Sequence, residues 1–451
     1  MDQKAVILRR FSCNLPSKNK DAHRMNSIFL VMVVTAFGIG AIRELFSSPG
    51  TMQALSAQTL GAANQSVQLA LGLVGAMALF LGLMKVAEKG GLLTILARLM
   101  RPLLVFLFPS VPADHPAMGA MILNLSANAL GLGNAATPFG IRAMQHLDCL
   151  NLNKGTATKA MILFLAINTS SVTLLPTGVI ALRSSLGSAN PAGILPTTLF
   201  ASLCSTAVAV VLAKCCERFF PESSSQEARL SDAHNPGDGE KKDRLEETEV
   251  GESYPPWASL LVLFFLGAFI GLAVLYGQTI APWIIPGLVV GLLGFGACRG
   301  VQTYEAFVEG AKEGFNVALK IIPYLVAILV AVAMLRTSGA LGLIVAPLAA
   351  WTAPLGLPGE AIPMALLRPL SGSGAYGVMA SILADPAVGP DSYTGYLVST
   401  LQGSSETTFY VLAVYFGAVG IRRIRYTLIA ALGADLAGIV GAVIACRYLY
   451  G

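Results

Sequence analysis

The chain has 451 residues, of which 55% are hydrophobic and only 12% charged, and its mean hydropathy is +0.67. A soluble domain carries about twice that charged fraction, so the composition excludes a soluble globular protein and requires one embedded in lipid. The net charge of +5 points to no nucleic-acid partner, because the basic residues fall in loops without interleaved aromatics; it serves instead as a guide to orientation.

In chain order, residues 1–27 form a basic tail with Arg9, Arg10, Lys18, Lys20 and Arg24. No small-residue cleavage site follows the first apolar run, which ends at Arg43-Glu44, so 28–45 is read as a retained spanning helix. Spanning helices are predicted at 66–86, 160–182 and 194–216, with a broken region at 92–145. Several of these runs approach the roughly 20 residues a bilayer demands. Residues 217–256 form a polar linker rich in Ser, Glu, Asp and Lys, expected to be disordered. Further helices are predicted at 257–276, 282–298, 315–335, 395–417 and 426–449, around a second broken region at 341–383. The predicted fold is an all-α polytopic membrane protein.

The first broken region holds NLSANALGLGNAATPFG, residues 124–140. An uninterrupted spanning helix disfavours these residues, since each Gly costs about 1 kcal/mol and Pro about 3 relative to Ala. Unpaired amides are costly in hydrocarbon, so Asn124, Asn128 and Asn134 are expected to face protein, water or a ligand. Asn124 and Asn128 lie four apart and share one helix face. The reading is a pair of half-helices broken at Gly131-Leu132-Gly133-Asn134, shielded by protein or lining a cavity. The second broken region holds RPLSGSGAYG, residues 368–377. Half-helix N-termini near Thr137 and Gly374 would direct free N–H groups at an anionic or polar group.

Internal comparison shows two copies of one unit. Gly61-Ala62 and Lys89-Gly90-Gly91-Leu92 align at one offset with Gly310-Ala311 and Ser338-Gly339-Ala340-Leu341. Later, Asn168-Thr169-Ser170-Ser171-Val172-Thr173 matches Gln402-Gly403-Ser404-Ser405-Glu406-Thr407. The repeats are therefore 28–216 and 257–451, the second with one extra leading helix. One extra crossing turns the second copy upside down. Charge agrees: Lys85, Lys89, Arg98, Arg101, Arg142, Lys154 and Lys159 mark loops that are poor in charge in the second copy, whereas Arg422, Arg423 and Arg425 answer only Arg183. Segment 52–64 is uncharged, while 302–313 carries Glu305, Glu309, Lys312 and Glu313. With basic loops inside, the N-terminus and central linker are cytoplasmic, and 183–192 and 385–394 lie outside. Two broken segments in corresponding positions of inverted repeats mark a transporter's binding site.

Glu406 is the acidic group within the second polar break, flanked by apolar sequence, and Arg368 is its candidate partner. The pair serves a solute, or it locks two elements together. The asparagines line a ligand site, or they cap helix ends and join helices through bonds worth about 0.6 kcal/mol each. The candidate solute-binding set is Asn124, Asn128, Asn134, Thr137, Asn168, Ser170, Ser171, Thr173, Arg368, Ser371, Ser373, Gln402, Ser404, Ser405, Glu406 and Thr407. Asp435, isolated in LGADLAG, joins a proton pathway or packs as a satisfied residue. His146, near Asp148, reads as a solvated loop residue. The seven cysteines are scattered without a CxxC spacing, and no nucleophile–base or metal pattern points to an enzyme or a bound metal.

GLGNAATPFG with the preceding NLSAN and the later NTSSVTLLPT resembles the spore maturation protein A family. RPLSGSGAYG with LQGSSETTFYVLAVYFGAVGIRR resembles the spore maturation protein B family. Together the resemblances cover nearly all the chain except the tail and the linker, as in a fusion of the two. Both families belong to the Gate, or nucleoside-recognition, group, which also resembles parts of concentrative nucleoside transporters and of the ferrous-iron transporter B membrane domain. The resemblance implies an inner-membrane protein, linked in spore formers to dehydration of the spore core. In the nucleoside transporters, hairpin tips and polar breaks bind solute. By position these correspond to Asn128, Asn134, Asn168, Ser171, Arg368, Ser373, Gln402 and Glu406.

The expected function is secondary transport of a small polar or anionic solute, with a proton or Na⁺ as candidate coupling ion and no other cofactor. The rival is a non-transporting scaffold for envelope or cell-wall processes. The expected partners are the lipid bilayer and the solute, and a homo-oligomer is compatible with the sequence.

Overall fold

The computed structural model describes residues 20–131, 136–219, 257, 283 and 285–451. Asn134, nearly all of the polar linker and the helix expected at 257–276 (Trp257 apart) lie outside the described residues. Among the described residues the fold is all-α, and the β-type contact is one isolated bridge between Thr156 and Arg423.

Helix α1 spans Lys20–Phe46, α2 Thr51–Lys89, α3 Leu92–Leu107, α4 Pro116–Ala129 and α5 Thr137–Cys149. They are followed by α6 Lys159–Thr169, α7 Thr177–Ser185 and α8 Leu195–Phe219. After the linker come α9 Ile285–Cys298, α10 Thr303–Thr337, α11 Ala340–Thr352, α12 Ile362–Leu367 and α13 Gly372–Leu383. The chain closes with α14 Tyr393–Gly403, α15 Thr408–Ala418 and α16 Thr427–Tyr450. Among the described residues, four helices are long and apolar enough to cross a bilayer: Phe29–Phe46, Thr51–Lys89, Pro191–Phe219 and Thr427–Tyr450. This is a multi-pass membrane protein.

The order of elements from α2 to α8 recurs from α10 to α16. Each series has a long helix, a short helix with an internal proline (Pro102 or Pro347), a broken pair, two short helices around a polar break, and a long closing helix. Glycines in the left-handed region open α3 and α11: Gly91 at φ 83° and Gly339 at φ 79°. Other residues take that conformation at a cost. The structural equivalence is one residue off the sequence alignment, which set Gly90 opposite Gly339.

The structure redraws several helix boundaries. Segments 52–64 and 66–86 form one 39-residue helix, about 58 Å long at 1.5 Å per residue, and α10 likewise absorbs 302–313 into its 35 residues. Conversely, the helices expected at 160–182 and 395–417 are each split. The first stops because Thr169 and Ser170 turn their hydroxyls back onto the Ala166 carbonyl, both at 2.9 Å, and Pro176 then bars an N–H. The 11-residue α6 and α14 each span about 16 Å, roughly half a hydrocarbon core. Their starts are capped by Thr158 and Ser392, whose hydroxyls accept from Met161 and Gly395.

Equivalent long helices pack antiparallel. On α10, Phe307 meets Gly82 while Gly314 lies against Met77 and Ala78, so α2 descends as α10 rises. The small residues let the backbones approach closely. Likewise Gly433 meets Leu212, Gly441 meets Ala201 and Cys204, and the Tyr450 hydroxyl donates to the Gly193 carbonyl. Thus α8 and α16 run in opposite directions.

Neither half closes a hydrophobic core alone. Val179, Ile180 and Leu182 of α7 pack with Val378, Met379 and Leu397 of α13 and α14. In exchange, Val411, Leu412, Tyr415 and Phe416 of α15 pack with Met121, Met144 and Phe164 of α4 to α6. The polar breaks after α6 and α14 are the points at which each half crosses into the other's core.

Candidate functional site

Because both breaks are crossover points, they must pass close to each other. The Glu406 N–H donates to the Thr169 carbonyl at 2.8 Å. Each break also ties back to the broken pair of its own half: the Leu174 N–H donates to Ala129 at 2.9 Å, and the Phe409 N–H to Pro369 at 3.0 Å. The four interruptions therefore meet.

In the first half, the Asn128 amide donates to Asn168 Oδ1 at 2.9 Å, and the Asn168 amide donates to the Phe164 carbonyl at 3.0 Å. Asn124, on the same face of α4, donates to the Ala136 carbonyl at 2.8 Å and to the Tyr415 hydroxyl at 3.1 Å. The Tyr415 hydroxyl in turn reaches Asn168 Oδ1 at 3.4 Å. This network joins α4, α5, α6 and the crossed-over α15. Ser170 serves helix termination, and its carbonyl accepts from Thr206 at 2.5 Å. Ser171 is buried, while Thr173 and Thr137 are half-buried.

Arg368 holds the equivalent place in the second half, at the end of α12. Its Nη1 donates to the Thr407 hydroxyl at 3.1 Å, much as Asn128 reaches Asn168. No ion pair within 4.0 Å joins Arg368 to Glu406, its expected partner. Arg368 instead lies in the field of two carboxylates, Glu406 first and Asp435 second. Ser371 caps α13, its hydroxyl accepting from the Gly374 N–H at 3.0 Å, and it stands 3.5 Å from the exposed Ser373 hydroxyl. Ser404 is buried, and Ser405, Glu406 and Gln402 are half-buried.

Sequence reasoning left three participants outside the candidate set. Asp435 on α16 accepts from the Thr408 hydroxyl at 2.6 Å. Its charge within an apolar helix was a visible signal, but its neighbours were not. Thr408 closes the polar stretch 402–408, which was a signal, whereas Tyr415 gave none, since it sits in an ordinary apolar run. A small pocket, partly open to solvent and with room for about one water molecule, is lined by Arg368, Leu401, Ser404, Ser405, Asp435 and Gly438, among others. Asn128 and Asn168 are not part of it.

Four buried side-chain atoms of these two clusters have no hydrogen-bond partner: Asn124 Oδ1, Arg368 Nε, Gln402 Oε1 and Asp435 Oδ1. No group of three or more His, Cys, Asp or Glu side chains suited to a metal occurs among the described residues.

Fold and site together define a multi-pass helical membrane protein whose two halves meet through polar breaks in their helices. The chain belongs to the Gate family, whose model carries the description nucleoside recognition and matches residues 70–186 and 318–422. It is 47% identical to spore maturation protein B of Bacillus subtilis (strain 168) over 168 residues, which are 37% of this chain and 93% of that protein. It is 44% identical to spore maturation protein A of the same organism over 171 residues, 38% of this chain and 85% of that protein. The chain thus unites the counterparts of two separate proteins. No solved structure matches it.

Proposed function

We propose that this protein is a secondary transporter of the inner membrane, carrying a small polar or anionic solute through a site between two inverted repeats. The observation that carries the reading is the meeting of the four helix interruptions around buried polar side chains, among them Asn124, Asn168, Arg368 and Asp435. The antiparallel course of α2 against α10 and of α8 against α16 supports the inversion. The loops also associate in the pairs the charge pattern groups together: 183–190 with 385–391 through Arg183 and Asp391, and the Arg422 and Arg423 N–H groups with the Gly155 carbonyl. The basic second group of loops is the cytoplasmic one in this reading.

Asn128, Asn168 and Gln402 would offer neutral hydrogen bonds to the solute, and Arg368 with the capped start of α13 would offer a positive end. Alternating access comes from one half moving against the other. The test is thiol labelling of Ser405→Cys and Ser171→Cys in a background with the seven native cysteines replaced. Impermeant reagents applied from each side of oriented vesicles should reach both positions. Protection of both from both sides is the outcome expected of a dry scaffold and ends the transport reading. Untargeted metabolite comparison of cells with and without the gene would then identify the solute class.

A further inference from the structure

In the second half Arg368 and Asp435 line one pocket and Glu406 lies near enough to act on the same guanidinium, and the three charges do not balance. Arg368 supplies one positive charge, and Glu406 and Asp435 supply two negative ones. With both carboxylates ionised, the trio therefore carries one negative charge that Arg368 cannot balance. Asp435 is only 7% exposed and sits within a helix long and apolar enough to span the bilayer. Its Oδ2 takes one hydroxyl bond from Thr408, while Oδ1 has no partner and Asp435 lines the pocket. An uncompensated carboxylate in that setting is strongly disfavoured. The other ionisable group from a packed element, Cys204 of α8, lies against Gly441, nearly two turns along α16, and brings no positive charge.

We infer that Asp435 is the loading site for one monovalent cation, a proton or Na⁺, and that loading frees Arg368 to receive an anionic or polar solute. The space is right for either ion, being about one water in size, and Ser404 and Ser405 in the same wall supply neutral oxygens. Solute binding before loading would set an anion against a bare carboxylate; after loading, that repulsion is gone. The site of coupling is therefore distinct from the neutral asparagine network of the first half, which lacks an acidic side chain. The coupling role rests on the transport reading, whereas cation binding itself does not.

The experiment uses the purified full chain in detergent. Thermal stability is followed while Na⁺ replaces choline at constant ionic strength, and the carboxylic-acid infrared band is followed across a pH series. A Na⁺ site predicts saturable stabilisation by Na⁺. A proton site predicts no Na⁺ response and a protonated-carboxyl band that is missing in Asp435→Asn. In either case Asp435→Asn loses the response or weakens it by more than about tenfold, while Glu360→Gln, remote from the site, keeps it. If Asp435→Asn does not fold, Thr408→Val must still move the midpoint of the wild-type response. Absence of both responses in the wild type, an equal response in Asp435→Asn, or an unmoved midpoint overturns the inference. If that happens while Ser405→Cys remains reachable from both sides, the transport reading survives without it. Protection of both labelled positions with an intact ion response does the reverse.

Discussion

Arg183 and Asp391, 208 residues apart, are joined by a 3.0 Å bond from Nη2 to Oδ1. The Arg183 side chain is fully buried; the same Nη2 also reaches Ser188 at 3.2 Å and the Asn190 carbonyl at 3.3 Å, and Nη1 donates to the Pro390 carbonyl at 2.6 Å. Its guanidinium lies 4.2 Å from the Tyr396 ring, which is stacked on Tyr450 at 3.7 Å. One side chain therefore fastens the loop after α7 to the loop before α14. Asp391→Asn removes the charge but keeps the shape. It should cost about 1–3 kcal/mol, discounted toward the lower end because Asp391 is 37% exposed. Thermal unfolding in detergent measures it, and an unchanged midpoint would show that the carbonyl bonds suffice.

Arg368 depends on Thr407 for its hydrogen bond. Thr407→Val leaves a buried guanidinium with bare donors and should destabilise the protein by about 1–3 kcal/mol. Thr407→Ser retains the hydroxyl and should lie close to wild type. Equal losses in the two variants would point to packing of the methyl group rather than to the bond.

Tyr415→Phe removes the hydroxyl that links Asn124 to Asn168. Asn124 keeps its bond to Ala136, so the loss should be near the membrane average of about 0.6 kcal/mol. A loss several times larger, read by denaturant titration, would mean that the network acts as a unit.

Two glycine substitutions should differ in sign. A Cβ at Gly314 would lie 2.6 Å from the Met77 carbonyl oxygen and 2.7 Å from Ala78 backbone atoms. Gly314→Ala must push α2 and α10 apart and should cost about 1–3 kcal/mol. Gly61 has open space around it, so Gly61→Ala should be neutral or gain up to about 1 kcal/mol. Melting temperatures of the two variants side by side test the packing of the long helices.

His115, in the turn before α4, caps that helix by accepting from the Ala117 N–H through Nδ1 at 3.2 Å. Burial first, and then the positive charge of nearby His146, hold its pKa below the ordinary value of 6.5. The fold therefore favours the neutral ring, and the unfolded chain binds the extra proton first. This contribution is fully present above pH 6.5 and declines as the pH falls below it. His115→Asn, which retains an acceptor at the cap, should flatten that part of the stability–pH profile.

Much of the architecture was legible in the sequence because hydrocarbon imposes severe rules on a chain. Length, apolar runs and the low charged fraction fixed an all-α multi-pass protein, since in lipid a chain must satisfy its backbone internally. Gly, Pro and Asn marked the broken pairs for the same reason, and the repeated motif at Asn168 and Gln402 revealed the duplication. The tertiary structure decided what those breaks are for. It showed α7 and α15 exchanged between cores, Arg368 bonded to Thr407 rather than paired directly with Glu406, and Asp435 brought to the same pocket. These relations depend on which helix lies beside which, and local pattern carries no such information: an apolar face is equally content against any apolar face. Tyr415 looks like an ordinary residue of a lipid-embedded helix, and Thr408 like one more hydroxyl of the polar break, until the chain crosses over, and only then do their hydroxyls find Asn168 and Asp435.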